Sequence, residues 1–339
     1  MEKSILKIGI DLGTSNTLIY SSGRGVVYNE PTVVAFDKNT GKIIAVGTEA
    51  KVMLGKTHDK INVVRPIEQG VIADKDSTIK MLDYILEHNV KQFENINPKK
   101  TVVLVCCHSD LSSIERKALK DIITDFGLDN VFVQEEVKAG AIGAGIDIYT
   151  PEGSMIIDIG GGSTDVGVLA LGDIVVSKSI KVAGNYFDKE IKKYIKKKHN
   201  FEIGLLTAEQ VKIALATLRD ELKEEKEISV AGRDLKRGLP SRIVIKQSEV
   251  RDVLKRCLGS IANQILKVLE VTPPEIAADI IDSGVILNGG GALIDGLSEY
   301  LEDLCQLDIK ISPEPLTAIV KGTKDLLKNR GDYLVAPSD

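Results

Sequence analysis

An internal repeat of an acidic, glycine-rich turn limits the possible folds of this chain more than any other feature. The first copy reads Ile10-Asp11-Leu12-Gly13-Thr14-Ser15-Asn16-Thr17, and the second reads Ile157-Asp158-Ile159-Gly160-Gly161-Gly162-Ser163-Thr164-Asp165. In both copies an apolar run of period two is followed by an aspartate, a short turn and a second apolar run, which is typical of a β-hairpin. Two such hairpins predict two halves built around similar turns.

Turns of this composition are suited to binding a nucleoside triphosphate. Glycine lets the backbone approach anionic oxygens, and successive N–H groups then surround them. Because Asp11 and Asp158 would repel phosphate directly, we expect them to hold a hydrated Mg²⁺ that bridges the phosphate oxygens. One Gly-rich turn is weak evidence, since an Asx-type hairpin turn has the same composition. The recurrence of the aspartate in both turns favours phosphate binding.

Other glycine-rich segments exclude some nucleotide-binding classes. A third turn, Asn288-Gly289-Gly290-Gly291, follows a short apolar run. The chain has no GxxxxGK[ST] loop, which excludes a P-loop NTPase. The segment 140–145 has a GxG-like spacing but lies in a helical pattern of small residues, so it predicts close helix packing rather than a dinucleotide site.

The composition of the chain excludes further classes of function. The chain has 339 residues, a net charge of -5 and 4% aromatic residues with no Trp, which argues against a nucleic-acid binder. The four cysteines form no CxxC pair, and we interpret them as core thiols in a reducing cytosol. The sequence predicts neither a signal peptide nor a membrane span of ~20 apolar residues, so we expect a cytoplasmic protein. Peripheral contact with the membrane stays open.

The chain resembles the MreB family of bacterial actin-like proteins over nearly its whole length and in the family's order of motifs. The resemblance is carried by the two hairpins and by these segments: Asn29-Glu30-Pro31, Arg65-Pro66, Gly70-Val71-Ile72-Ala73-Asp74, Pro273-Pro274-Glu275, Gly289-Gly290-Gly291-Ala292 and Glu314-Pro315-Leu316-Thr317-Ala318. It implies an α/β, actin-like fold with two domains. Each domain is expected to contain a mixed five-stranded sheet flanked by helices, with the nucleotide cleft between the domains.

The resemblance also places the domains along the chain. Domain I is expected over residues 1–149 with a small subdomain at 33–75, and segment 315–339 is expected to return to it. Domain II is expected over residues 150–314, with a small subdomain at 181–257. That subdomain is expected to contain helices at 187–198 and 207–221. The chain is expected to cross between the domains near 141–149 and 313–324.

Roles in binding ATP or ADP with Mg²⁺ follow from the same resemblance. Asp11 and Asp158 are expected to hold the water shell of the metal. The backbone amides expected to line the phosphates are those of Thr14, Ser15, Asn16, Gly160, Gly161 and Gly162. Glu209 and Lys212, which share a helix face, are expected to reach the ribose and adenine, with a surface ion pair as the alternative. The residues expected to approach the nucleoside from the opposite side are Gly289, Gly290 and Gly291.

For hydrolysis, a water molecule must be oriented in line with the γ-phosphate. Glu136 matches the family's water-orienting glutamate, and Ser163 or Thr164 is expected to supply a partner hydroxyl. Asp74 matches a family acid near the phosphates, with a less definite role. Lys138 departs from the family pattern, and it is either an ion-pair or phosphate partner near Glu136 or a solvated lysine at a helix start. This and smaller departures favour a slow ATPase.

The resemblance implies a homopolymer, expected as paired protofilaments, that governs cell shape or motility and also contacts other MreB-like proteins. A non-polymerising ATP-binding adaptor and a small-molecule kinase of the same superfamily remain alternatives. A chaperone is disfavoured, because we expect no substrate-binding domain after the segment 316–339. We expect weak membrane contact, since the loop 94–98 offers one large apolar residue, Ile96, worth ~1.5–3 kcal/mol on burial. The lysines of helix 187–198 either attract anionic lipid or form a solvated face.

Overall fold

Each hairpin lies in a five-stranded mixed sheet of its own in the computed structural model, which describes residues 5–91, 96–97, 99–222 and 224–328. The elements of the first half are β1 (Lys7–Leu12), β2 (Asn16–Ser21), β3 (Gly25–Pro31), β4 (Val34–Asp37), β5 (Ile43–Val46), α1 (Thr48–Lys51), β6 (Ile61–Val64), β7 (Ile67–Glu68), β8 (Val71–Ile72), α2 (Lys75–Leu86), a π-helical turn (Glu87–Lys91), β9 (Val102–Cys107), α3 (Ser113–Thr124), β10 (Asn130–Glu135) and α4 (Glu136–Gly143).

The second half begins with the second hairpin. Its elements are β11 (Ser154–Ile159), β12 (Thr164–Ala170), β13 (Asp173–Ile180), α5 (Gly184–His199), β14 (Phe201–Glu202), α6 (Leu205–Leu215), β15 (Glu227–Asp234), β16 (Pro240–Lys246), α7 (Gln247–Val271), α8 (Pro274–Ser283), β17 (Val285–Asn288), a 3-10 helix (Gly290–Leu293), α9 (Leu297–Cys305), β18 (Ile309–Ile311) and α10 (Ala318–Lys328).

The two large sheets have the same topology. The first has the order β10-β9-β1-β2-β3, and the second has the order β13-β12-β11-β17-β18. In each, the acid-bearing strand pairs antiparallel with the second strand of its hairpin and parallel with its other neighbour. The prediction of two similar halves, each with a mixed five-stranded sheet, is therefore confirmed.

Strand β9 explains the continuous apolar run in the first half. Val103 and Val105 pack into the core that includes α2 and α3, whereas Val102 and Leu104 pack into a second core with residues of α4 and α10. Since both faces of the strand are covered by helices, alternation between polar and apolar residues is lost. Cys106 and Cys107 end this strand and are buried, as are the other two cysteines.

Helix α4 passes between the two sheets. Ala139 packs into the core of the first sheet, while Val137 and Ala141 pack against the second. Helix α10 lies directly on α4: a Cβ on Gly143 would lie 1.8 Å from the carbonyl oxygen of Ala318, and one on Gly322 would lie 1.8 Å from that of Ala139. The small-residue segment therefore serves close helix packing, as predicted.

Two smaller lobes lie beyond the sheets. We call β4, β5, α1 and β6 the first outer lobe, and β14, β15, β16 and α6 the second outer lobe. The prediction of a helix up to residue 221 is wrong, because α6 ends at Leu215. The following chain turns toward Asp295, which pairs with Thr217 in an isolated β-bridge and accepts a 2.8 Å hydrogen bond from its hydroxyl.

In the two segments considered for membrane contact, the apolar side chains that the structure describes pack into the protein. Ile96 packs against the core of the first sheet, and residues 92–95 and 98 lie outside the described part of the chain. In α5, Phe187, Ile191 and Ile195 are buried, and Lys193 and Lys196 on the exposed side pair with glutamates. No helix of the described residues combines the length and the hydropathy that a membrane crossing requires.

Candidate functional site

The turns of the two hairpins meet face to face. A Cβ on Gly161 would lie 1.8 Å from the Oγ of Ser15, and one on Gly162 would lie 2.3 Å from the Oγ1 of Thr14. No larger residue fits at these two positions without moving the opposite turn. The Thr14 hydroxyl also accepts a hydrogen bond of 2.8 Å from the backbone N–H of Gly70.

Hydrogen bonds fix the shape of each turn. The N–H of Gly160 donates to the carbonyl of Ser163 at 3.0 Å. The first turn is held by Thr32, just after β3: its hydroxyl donates to the carbonyl of Gly13 at 2.6 Å, and its N–H donates to that of Ser15 at 2.9 Å. These hydrogen bonds to the turn carbonyls hold both turns in shape.

Four carboxyl groups gather beneath the turns: Asp11, Glu136, Asp158 and Asp165. Burial, and then the charge of Asp158, raises the pKa of Asp11 to about 7. Burial, and then the charge of Asp165, raises the pKa of Asp158 to about 7. The pKa of Glu136 is also raised well above its usual value, first by burial and then by the three aspartates. The cluster therefore favours a bound cation.

Two members of this cluster are held by neighbours that the sequence did not indicate as site residues. The amide of Asn288, which is fully buried at the end of β17, donates to Asp158 at 2.5 Å. Asp165 lies opposite Asp158 in the β11–β12 ladder and accepts a 3.0 Å hydrogen bond from the Ser109 N–H. A polar residue ending an apolar strand was the available signal for Asn288.

A cleft of about 450 Å³ opens from the two turns, within the size range of small-molecule sites. The predicted site residues that line it are Asp11, Thr14, Ser15, Asn16, Glu136, Asp158, Gly160, Gly161, Gly162, Ser163, Glu209, Lys212, Gly289, Gly290 and Gly291. The fold thus brings together residues from both hairpins, the third glycine turn and α6.

Two residues considered for hydrolysis or phosphate contact, Thr164 and Asp74, form hydrogen bonds within the fold. The Thr164 hydroxyl is buried and donates to the carbonyl of Val182 at 2.7 Å, so it does not face the cleft. Asp74 caps α2 by accepting hydrogen bonds from the N–H and the hydroxyl of Ser77 at 3.0 and 2.8 Å, which lowers its pKa. Of the two candidate hydroxyls, Ser163 lines the cleft.

The expectation for Lys138 needs correction. Its side chain is 2% exposed, and its Nζ lies 3.4 Å from Asp173. It is therefore neither a solvated lysine nor the ion-pair partner of Glu136. From α4 the buried side chain extends toward the start of β13, where its amine meets the exposed carboxylate of Asp173.

Glu209 and Lys212 line the cleft from α6, and each forms an ion pair of 2.8 Å with another residue. Glu209 pairs with Lys51 of the first outer lobe, and Lys212 pairs with Asp188 of α5. Lys212 also donates to the carbonyl of Gly184 at 2.9 Å. Sequence reasoning missed Lys51, since nothing in the pattern around it points to the opposite lobe.

The outer part of the cleft has an apolar wall. Ile213, Leu293 and Leu316 line it and are 74%, 60% and 57% exposed, respectively. Large aliphatic side chains on the rim of a polar cleft are suited to the flat face of an aromatic ligand. Polar turns at one end and this wall at the other fit a molecule with an anionic group and an aromatic group.

The residues also fit a hydrated Mg²⁺. Asp11 and Asp158 come from the two hairpins and are buried, and each has a raised pKa that a cation would lower. Within the described residues, no group of three or more His, Cys, Asp or Glu is placed to bind a metal. Two carboxylates that act through water molecules are consistent with this arrangement, because Mg²⁺ commonly keeps several waters.

Comparison with known proteins agrees with the fold and the motifs. The model of the MreB/Mbl protein family matches residues 5–334. The cell shape-determining protein Mbl of Bacillus subtilis is 45% identical over 323 residues, which cover 95% of this chain and 96% of Mbl. The cell shape-determining protein MreB of Escherichia coli is 38% identical, with 93% of this chain and 91% of MreB covered.

Solved structures give the same result. MreB5 of Spiroplasma citri bound to ADP superposes with a TM-score of 0.90 at 43% identity and covers 95% of this chain and 96% of MreB5. MamK, solved as a double helical filament, has a TM-score of 0.80 at 21% identity, with 96% of this chain and 99% of MamK covered. The likeness to MamK concerns the fold alone. The predicted actin-like fold is confirmed.

Proposed function

The chain belongs to the MreB/Mbl family, and from that premise we propose that it binds ATP in the cleft, hydrolyses it and assembles into filaments. One observation carries the proposal: two acidic hairpin turns meet above a cluster of buried carboxyl groups, and both open onto one cleft with Glu136. This arrangement is suited to a triphosphate with a divalent cation.

The nucleotide lies along the cleft. Its phosphates meet the two turns, where backbone N–H groups are available to anionic oxygens. Its base lies against the apolar wall of Ile213, Leu293 and Leu316, and Glu209 and Lys212 approach the ribose and base from α6. Structures of the related Spiroplasma citri MreB5 with ADP and with AMPPNP support this assignment.

Asp11 and Asp158 would hold the water shell of Mg²⁺. When bound, the ion would neutralise negative charge on the phosphates. The two aspartates are ionised in this state, because a nearby cation lowers the pKa of a carboxyl group. The amide of Asn288 keeps the carboxylate of Asp158 in one orientation through its 2.5 Å hydrogen bond.

Glu136 orients the attacking water and accepts its proton. A carboxylate whose pKa is raised by burial is a better base than an exposed one, and Glu136 lies on the cleft at the start of α4. Ser163, which hydrogen-bonds Asp165, lies at the same end and supplies the partner hydroxyl. We also propose slow turnover, because the two residues that follow Glu136 depart from the family's sequence pattern.

We further propose the family's assembly for this chain. The relatives in Bacillus subtilis and Escherichia coli are cell shape-determining proteins, so the expected product is a cytoplasmic homopolymer of paired protofilaments. In this proposal domain I comprises residues 1–149 with the returning segment 315–339, of which residues 329–339 lie outside the described part of the chain, and domain II comprises residues 150–314. The two topologically similar sheets support this division.

High-speed sedimentation with ATP, with ADP and without nucleotide tests the proposal, together with phosphate release from ATP. We expect pelleting that depends on nucleotide and on protein concentration, and slow release of phosphate. A protein that binds ATP but stays in the supernatant at all concentrations would instead be an adaptor. Formation of ADP that requires a small-molecule acceptor would identify a kinase.

A further inference from the structure

The two outer lobes are joined across the mouth of the cleft by an ion pair. The Nζ of Lys51, at the end of α1, lies 2.8 Å from the Oε1 of Glu209, on the cleft-facing side of α6. The side chains are 30% and 25% exposed, so the pair is partly shielded from water. We propose that Lys51 is a nucleotide-retaining residue, which closes the outer cleft over the bound nucleotide through Glu209.

Lys51 is linked to the first sheet through α1. The carboxylate of Glu30 in β3 accepts a hydrogen bond of 3.0 Å from the N–H of Thr48 and another from its hydroxyl, at the first turn of α1. Glu30 lies opposite Thr17, which follows the first phosphate turn in β2. Lys51 is thus connected through one short helix to the strand that leaves this turn.

Glu209 is connected to the second turn in a comparable way. One helical turn along α6, Lys212 binds Asp188 and the carbonyl of Gly184 at the start of α5. The N–H of Gly184 in turn donates to the carbonyl of Gly160 at 3.1 Å, and that of Asn185 donates to Gly161 at 2.8 Å. The ion pair therefore links the supports of both turns, and separation of the lobes has to break it.

The effect on affinity follows from the position of the pair. A nucleotide whose phosphates bind the two turns leaves through the outer mouth, and the intact pair opposes the separation of the lobes. Lys51 also restrains the carboxylate of Glu209, to which we assign a ribose contact; this part rests on the proposed function. An ion pair of this exposure is weakened by salt, so retention has to weaken with ionic strength.

Release of 1,N6-ethenoadenosine triphosphate into excess ATP measures this retention, since the label leaves the ribose and phosphates unmodified. We expect Lys51→Ala to release it about fivefold faster than the parent at low salt, or about 1 kcal/mol. Lys51→Arg should restore slow release, because it keeps the charge. Hydrolysis of bound ATP in a single turnover and the melting temperature should stay at the parent's values.

Lys56→Ala is the matched control, because Lys56 is an exposed lysine of the same lobe just beyond α1. It should release the analogue at the parent's rate. Equal release rates for the parent and Lys51→Ala would overturn the role of Lys51 in nucleotide retention and leave the proposed function intact. Faster release from Lys51→Ala that persists at high salt would do the same. Failure of the parent to bind unmodified ATP, measured by equilibrium binding, would overturn the proposed function itself.

Discussion

Glu135 and Glu136 are consecutive in the chain, but their carboxylates lie in different environments. Glu135 accepts hydrogen bonds from the Arg116 guanidinium at 2.9 Å and from the Ser177 hydroxyl at 3.1 Å. Glu136, one residue on at the start of α4, lines the cleft close to Asp11, Asp158 and Asp165. The change from strand β10 to helix α4 between them separates a structural glutamate from one available for chemistry.

Replacement of Glu136 by Ala is expected to preserve ATP binding and to slow hydrolysis at least tenfold. In the proposed mechanism this change removes the carboxylate that orients the water, and with it about 1.4 kcal/mol or more of transition-state stabilisation. Phosphate release in a single turnover, with binding measured separately, checks this. Glu135→Gln is the control. It should lower the melting temperature and leave the hydrolysis rate close to that of the parent. Unchanged hydrolysis in Glu136→Ala would assign the water to another residue.

The contact between α4 and α10 is expected to tolerate no side chain at its glycines. Gly143→Ala should lower the unfolding free energy by about 3 kcal/mol, because the new Cβ would lie 1.8 Å from the backbone oxygen of Ala318. Gly259→Ala in α7 is the control. It has open space around it, and Ala should stabilise that helix by ~0.5–1 kcal/mol. Urea unfolding of both variants compares the two, and equal stabilities would contradict the packing argument.

The buried amine of Lys138 is expected to depend on Asp173. Asp173→Asn should cost about 1 kcal/mol, since its carboxylate is 79% exposed and water shares the interaction. Lys138→Met should be neutral or stabilising, because it removes a buried charge. Once Lys138 is Met, the Asp173→Asn change should have no further effect on the unfolding free energy. A cost that is the same in both backgrounds would mean that the two residues do not interact.

In the absence of Mg²⁺ and nucleotide, the carboxyl cluster is expected to make the protein less stable as pH rises. Asp11 and Asp158 have pKa values of about 7 and Asp165 of about 6, against 3.8 for an ordinary aspartate. The folded state therefore binds more protons than the unfolded chain between pH about 4 and 7. The unfolding free energy contributed by these groups falls as pH rises through that window.

Unfolding in EDTA at pH 5 and pH 8 measures this contribution. Asp158→Asn removes one carboxylate and relieves its neighbours, so the variant should gain stability relative to the parent as pH increases. Addition of Mg²⁺ with ATP to the parent should remove much of the destabilisation at pH 8, since the cation favours the ionised carboxylates. A parent and variant with the same pH dependence would exclude this cluster as its source.

Much of the fold and of the proposed phosphate site is encoded locally, so the sequence by itself determined it. Period-two apolar runs on both sides of the glycine turns specify the hairpins, and each turn requires its own glycines. Asp11 and Asp158 occupy the same place in the two copies of the hairpin. Once two similar halves were inferred, the two carboxyl groups were expected to lie close together. The small residues around Gly143 likewise indicated a close helix contact, although its partner, α10, could not be read from them.

Tertiary structure alone decided which long-range neighbours the polar side chains have. Ser163 and Thr164 are adjacent and chemically alike. The Thr164 hydroxyl donates to the carbonyl of Val182, whereas Ser163 lies on the cleft. Lys138 is buried because α4 lies between two sheets. Glu209 meets Lys51 across 158 residues of sequence. Such pairs depend on how the lobes pack, and no local periodicity encodes the distance between two separately folded surfaces.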